Sequence, residues 1–346
     1  MKRIMKNLFV INSPLHLMSA FILTNTKFRN DDNYLALVHP HGFAHWQEDP
    51  IMDYMSSTKG GFKGIFPLLG RMSKEQAKYI KNNIGVIGFD NAFVGSDVNI
   101  QDQLLMSALN MTTYYRLDDG MWSYYNEDRK RPWHKAFFHK LQLEVVAYLY
   151  GINSSLKFNT IALGESEAGL GDYLFMPKLL QRKSPQVFEI TSAMIEQAMV
   201  RLSEAGLLQQ ELFDYDYVVY LSQPVTENGQ TTFEEEKKII DNLMNNMDEH
   251  TRMIYKPHPN DKAYKLQYIK ENFPKVIIND SKIPIEIVLY KEPLIKQLIS
   301  YQTTTLIIAE KFVGRKMECI SMCEHYQKPL CSAYKELMKK ASVKFL

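Results

Sequence analysis

Short apolar runs alternate along the chain with longer stretches of helical period, the pattern of parallel sheets covered by helices. In the first half the runs predict strands at Asn7 to Ile11, Tyr34 to Val38, Ile84 to Gly88, Thr112 to Leu117, Thr160 to Leu163 and Val187 to Ile190. A second series follows at Tyr217 to Leu221, Arg252 to Tyr255, Val276 to Ile278, Leu298 to Tyr301 and Met317 to Ser321. Between the two, Ser192 to Glu211 reads as a helix ending in polar residues, and the domain boundary falls there. The pattern predicts an α/β protein with one domain over residues 1–205, a second over 206–330 and a basic helix over 331–346. That last segment sets Lys335, Lys339, Lys340 and Lys344 among Leu337, Met338 and Val343, which suits either docking on a domain or contact with an anionic membrane surface.

Composition narrows the picture. The 346 residues hold 41 Lys and Arg against 39 Asp and Glu, so the net charge of +2 gives no field that would draw the chain onto nucleic acid. No run of about 18 apolar residues is present, so a membrane-spanning helix is not expected. The charged N-terminus precedes an apolar segment that stops at Asn12-Ser13-Pro14, too soon for a signal peptide. Cys319, Cys323 and Cys331 crowd one end and fit a reducing compartment; they read as buried thiols, because no second ligand pair accompanies Cys319 and Cys323.

Three short signals carry candidate chemistry. Asp118-Asp119-Gly120 follows the strand Thr112 to Leu117, and reads either as a turn or as a general base at a sheet's C-terminal edge, where open α/β folds bind ligands. Lys256-Pro257-His258-Pro259 lies between a strand and a helix, where free N–H groups favour anions, and outlines a phosphate site. A second His-Pro pair, His39-Pro40, leads only into loop-like sequence. Glu286 stands 28 residues after His258, and Thr303, Thr304 and Thr305 stand 45 to 47 residues after it. A carboxylate there suits a ribose diol and hydroxyls suit phosphate oxygens, with helix capping as the structural alternative. Aromatic residues from Tyr114 to Phe138 interleave with Arg116, Arg129, Lys130 and Arg131, as in a sugar-binding surface or a packed corner.

In this order, these motifs resemble the motif series of bacterial sialyltransferases, and the opening Asn7-Leu-Phe-Val-Ile-Asn-Ser-Pro-Leu-His-Leu resembles the start of family 52 glycosyltransferases, the lipooligosaccharide and capsule sialyltransferases. The resemblance spans residues 7 to about 310. It implies a GT-B architecture, two Rossmann-like domains facing a cleft, and inverting transfer of sialic acid from CMP-sialic acid to a galactose-terminated glycan. By the same resemblance His258 would contact the CMP phosphate as general acid or leaving-group stabiliser. Lys256, Pro259, Thr303 and Thr304 would line that phosphate site, and Glu286 would hold the ribose. Asp118 or Asp119 would take the proton from the acceptor hydroxyl, and Gly120, Asn12 and Ser13 would be substrate-binding.

Glu227 and the run Glu234-Glu235-Glu236 are the alternative bases. The donor is a phosphodiester with a single charge, so no metal and no cofactor is expected, and Asp214-Tyr-Asp216 reads as part of a linker. The resemblance also allows a homodimer and implies a cytoplasmic enzyme at the inner face of the cell membrane. A polysialyltransferase or another CMP- or CDP-linked polymer transferase is the rival within enzymes, and the charge of +2 weighs against the broad basic groove it would carry. A non-catalytic glycan-binding relative is the rival outside them.

Overall fold

A computed structural model of the protein describes residues 3–39, 46, 48–125, 130–152, 156–211, 214–325, 327 and 330–346; Pro40 of the His39-Pro40 pair, the loop-like residues 41–43 after it, and Arg129 lie outside them. The chain divides into two compact units, Met1–Leu207 with Lys282–Pro284, and Leu208–Ser281 with Ile285–Leu346.

The first unit is built on seven strands in the order β3-β2-β1-β4-β5-β6-β7. They are β1 (Lys6–Ile11), β2 (Asp32–His39), β3 (Gly64–Leu69), β4 (Asn91–Val94), β5 (Tyr114–Leu117), β6 (Gly169–Leu174) and β7 (Val187–Glu189). All neighbours pair in parallel. The central strand β1 is buried from Asn7 to Ile11, as expected where helices cover both faces, and Phe9 stacks on Phe93 of β4 at 4.6 Å. The order reverses between β1 and β4. The loops leaving these two strands therefore flank the switch point where open α/β sheets bind ligands.

Two expected strands are corrected. Ile84 to Gly88 closes a helical segment instead, with a 3₁₀ turn at Gly85–Ile87 and Gly88 at φ +68°; the strand comes next, as β4. A short apolar run does not distinguish a strand from a buried helix end. Thr160 to Leu163 forms turns, and the sheet takes Gly169–Leu174 in its place. That strand carries two glycines and a buried Asp172 because it must accommodate the buried Arg116 of β5. A Cβ on Gly169 would lie 1.9 Å from Arg116 Nη1, and the β5–β6 register shifts at this point, Tyr114 facing Gly169 and Tyr115 facing Gly171. β3 contains Pro67, which an edge strand tolerates because one side makes no ladder bonds.

The second unit carries a parallel six-stranded sheet, in the order β10-β9-β8-β11-β12-β13. The strands are β8 (Asp216–Leu221), β9 (Thr251–Lys256), β10 (Ile277–Ile278), β11 (Ile295–Ser300), β12 (Glu318–Ser321) and β13 (Lys344–Phe345). Its order reverses between β8 and β11. The C-terminal helix is shorter than the sequence suggests, Ser332–Lys340, and β13 returns the chain to the sheet. Tyr334, Leu337 and Met338 are buried, so the apolar side of this helix is used inside its own unit. Cys319 and Cys323 are buried, and burial pushes the Cys319 thiol up to about 12. Among the described residues no helix is long and apolar enough to cross a membrane.

Replacing Gly169 with Ala should drive a methyl group into the Arg116 guanidinium and destabilise the protein by about 2–4 kcal/mol. Thermal denaturation measures this as a lowered Tm; an unchanged Tm would mean that the close approach of β5 and β6 is not a constraint.

Candidate functional site

In the first unit, the loop after β1 starts the helix Pro14–Asn25. Ser13 caps it, accepting the His16 N–H at 3.3 Å, and Pro14 occupies the first turn, where its missing N–H is harmless. Asn12 donates to the buried carboxyl of Asp102 at 3.0 Å. Both residues thereby also build the loop they stand in. The cap places His16 one turn into the helix, fully buried, with Nε2 2.9 Å from Asp119 Oδ1. Its Nδ1 has no hydrogen-bond partner and faces Gly95, where a Cβ would sit 2.1 Å away. The bond at Nε2 and the empty side at Nδ1 assign the ring proton to Nε2, directed at the carboxylate.

The two adjacent carboxylates have different surroundings. Asp118 is fully buried and accepts the Gly120 N–H at 2.9 Å, the Phe175 N–H at 3.0 Å and the Tyr124 hydroxyl. Burial pushes its carboxyl up to about 6, against the downward pull of those three bonds. Asp119 keeps 26% of its side chain in solvent and touches His16, while its N–H donates to Ser123 Oγ at 2.6 Å. Asp118 thus ties the ends of β5 and β6 together, and Asp119 is the carboxylate with an open side. Gly120 serves the backbone, at φ 75°, ψ −150°, a conformation barred to residues with a Cβ.

Beneath this turn lies a buried ion network. Arg116 binds Asp172 through Nε at 2.7 Å and Nη2 at 3.0 Å, and contacts Asp97 at 3.4 Å; Arg182 binds the other side of Asp172 at 2.6 and 3.1 Å. Burial raises the Asp172 pKa, but the two guanidinium groups outweigh it and hold the carboxyl down at about 2. The aromatic stretch does not form one surface. Tyr114 and Tyr124 are in the core, Arg116 is in the network, and Trp133, Phe137 and Phe138 are exposed on the helix Trp133–Leu149.

In the second unit, β9 delivers Lys256 and then the loop of His258. Lys256 Nζ binds Ser281 O at 2.8 Å. His258 donates its backbone N–H to Asp261 at 2.8 Å, and its Nδ1 accepts the Asn260 N–H at 3.1 Å. The ring's proton therefore sits on Nε2, which points away from these bonds as a donor. Burial lowers the His258 pKa, with Asp261 opposing. Pro259 is exposed beside it.

The loop is anchored by Lys265, 2% exposed, whose ammonium meets Glu236 at 2.9 Å, Glu227 at 3.0 Å and Asp261 at 3.4 Å. These contacts commit the alternative bases: Glu227 also accepts the Lys262 N–H and the Tyr264 hydroxyl, and Glu236 accepts Thr226. Glu234 and Glu235 are exposed and pair with Lys237 and Lys238 one turn on.

Thr303 and Thr304 follow β11 at the switch point, and the helix Thr305–Val313 begins after them. Glu286 is buried on the helix Ile285–Lys291 and accepts the Thr305 hydroxyl at 2.8 Å. Burial raises its pKa, with Lys256 among the groups opposing. Thr305 is thus the hydroxyl tied to Glu286, and Thr303 lies 3.4 Å from it.

The sequence reading missed His16, Lys265 and the partners of Arg116. His16 was visible as a histidine one turn inside the Ser-Pro cap; Lys265 showed only its spacing of four from Asp261, since Glu227 and Glu236 come from separate elements.

Two parallel Rossmann-like sheets, each with polar loops at the C-terminal ends of its strands, define the GT-B class of glycosyltransferase folds. The sequence model of the alpha-2,8-polysialyltransferase (POLYST) family matches residues 7–319, and the chain belongs to that family, one of CMP-sialic acid-dependent sialyltransferases. Among solved structures, it is similar to UDP-GlcNAc 2-epimerase from Neisseria meningitidis bound to UDP-GlcNAc, at 11% identity and TM-score 0.55, covering 98% of this chain and 87% of that one. It is also similar to UDP-GlcNAc 2-epimerase from Methanocaldococcus jannaschii, at 14% identity and TM-score 0.52, covering 98% and 92%. At such identities the likeness shows the fold alone. None of the curated proteins matches the chain in sequence.

Asp118→Asn should lower stability, because an amide cannot accept all three donors that the carboxylate holds. The raised folded pKa adds a pH signature. The unfolded carboxyl releases its proton near pH 4 and the folded one near pH 6, so its contribution to stability is present below about pH 4 and is lost as pH rises through about 6, a change of ~3 kcal/mol. Urea unfolding of wild type and Asp118→Asn at acid and neutral pH should show the gap between them shrinking at neutral pH; a gap independent of pH would contradict the assignment. Gly95→Ala should displace His16 and reduce turnover about 10-fold or more, a loss that Gly85→Ala, whose Cβ would meet only ordinary contacts at 3.6 Å and beyond, should not reproduce.

Proposed function

We propose that the protein extends an α2,8-linked sialic acid chain, moving sialic acid from CMP-sialic acid to a hydroxyl of the terminal sialic acid of the acceptor. Family membership supports the chain-extending reading over the galactose-terminated acceptor that the family 52 resemblance implies. The whole-chain charge of +2 is an average over 346 residues and says little about the local groove a polyanion needs.

The observation that carries the mechanism is the division of labour between the adjacent carboxylates. Asp119, open to solvent and oriented by His16, is the proposed base; it takes the proton from the acceptor hydroxyl as the oxygen attacks C2 of the donor sugar. The bond from C2 to the phosphate oxygen breaks, and its electron pair leaves with CMP. In the second unit, His258 presents Nε2–H to that phosphate as a neutral hydrogen-bond donor, and Thr303 and Thr304 supply hydroxyls. A phosphodiester-derived leaving group needs charge stabilisation more than a proton, so the lowered His258 pKa fits this role better than that of general acid. Glu286, directed by Thr305, is the proposed ribose ligand.

Incubation with CMP-sialic acid and an α2,8-linked trisialic acid should yield products lengthened by successive sialic acids, resolved by mass spectrometry, while lactose should be a poor acceptor. His258→Ala should lower kcat about 100-fold or more. Preferential sialylation of lactose would overturn the chain-extending reading and restore a galactose acceptor.

A further inference from the structure

The helix Trp133–Leu149 buries Ala136, Leu143 and Ala147 against its own unit, which uses one side of it. The opposite side is apolar as well. Trp133, Phe137, Leu141, Val145 and Tyr148 recur at spacings of four, four, four and three residues, which makes one continuous outward stripe, and Phe138 widens it. Trp133 and Tyr148 are each 82% exposed, and Phe137 and Phe138 are 60% and 66% exposed. Scattered apolar residues on a surface are ordinary, but a stripe of large side chains along a whole helix is not.

The charges around the stripe select what covers it. Between Lys130 and Tyr150 stand four Lys and Arg (Lys130, Arg131, Lys135, Lys140) against one Glu (Glu144); Lys130 pairs with Glu165 at 3.1 Å and Lys140 with Glu144 at 3.9 Å, which leaves the face net basic through Arg131 and Lys135. Lys135 and Lys140 border the stripe on its two sides and are exposed. The rings of Phe137 and Phe138 meet edge to face at 5.9 Å, and Trp133 stands at one end of the stripe with Tyr148 near the other. That combination fits a lipid headgroup layer, where the rings sink to the acyl boundary and the ammonium groups stay among the phosphates.

We propose that this helix docks the protein on an anionic membrane surface, lying in the plane of the interface. At 17 residues, and with its inner side packed in the fold, it rests on the bilayer rather than crossing it. The basic C-terminal helix is not the anchor, because its apolar residues are buried and only its charges face outward.

The test is sedimentation of the full chain with phosphatidylcholine vesicles, with and without phosphatidylglycerol. Binding is expected only with the anionic lipid, and both Phe137→Ser/Tyr148→Ser and Lys135→Glu/Lys140→Glu should weaken it about 10-fold or more. Lys339→Glu/Lys340→Glu on the C-terminal helix should leave it unchanged. Because all four stripe and border side chains are exposed, thermal denaturation should report the same Tm for these variants. Absence of sedimentation, or sedimentation indifferent to the substitutions, would overturn the proposal. So would light scattering that shows a dimer which the Phe137→Ser/Tyr148→Ser variant splits, since the stripe would then bind a second copy of the chain.

Discussion

The buried contact between Arg116 and Asp172 is the constraint on which the first unit depends. A guanidinium enclosed between two strands must have its charge and its donors satisfied in place, and Asp172 and Asp97 do this. Its bulk excludes a side chain at Gly169 and shifts the register of β5 against β6. The strand end that results carries Asp118, whose bonds to Gly120, Phe175 and Tyr124 set the backbone of the turn, and so Asp119 is held toward His16 with one side open. Removing Asp172 would leave the buried Arg116 only its 3.4 Å contact with Asp97 and take the carboxylate from Arg182 as well, at a cost of about 3–5 kcal/mol.

The second unit follows the same principle with the opposite polarity. There a single buried ammonium, Lys265, is surrounded by three carboxylates, and one of them, Asp261, receives the backbone N–H of His258. In both units a buried ion cluster fixes the loop, and the residue beside the fixed point faces outward: Asp119 in one, His258 in the other. Pre-organisation of this kind matters in sialyl transfer because the charge that develops on the phosphate and at the anomeric carbon must be met without rearrangement.

Much of this was legible in the sequence. The alternation of apolar runs predicted two parallel sheets, and the motifs at the ends of β5, β9 and β11 identified the loops that carry Asp119, His258 and the threonines. Where the sequence misled, the cause was physical. β6 has the composition of a turn because a neighbouring arginine occupies the space its side chains would need, and Ile84 to Gly88 has the composition of a strand while ending a helix. The choice between Asp118 and Asp119 was invisible, since burial and hydrogen bonding separate two residues that the sequence shows as equivalent. The burial of Lys265 and Arg116 was hidden, because Glu236 and Asp172, which bind them in the core, lie 29 and 56 residues away along the chain.

The most direct measurement is kcat together with CMP affinity for Asp119→Asn, alongside Glu227→Gln. With Asp119 as the base, Asp119→Asn should lose about 1,000-fold in kcat while its CMP Kd and Tm stay at wild-type values. Full turnover by Asp119→Asn, with the loss appearing in Glu227→Gln instead, would contradict the assignment of the base to Asp119.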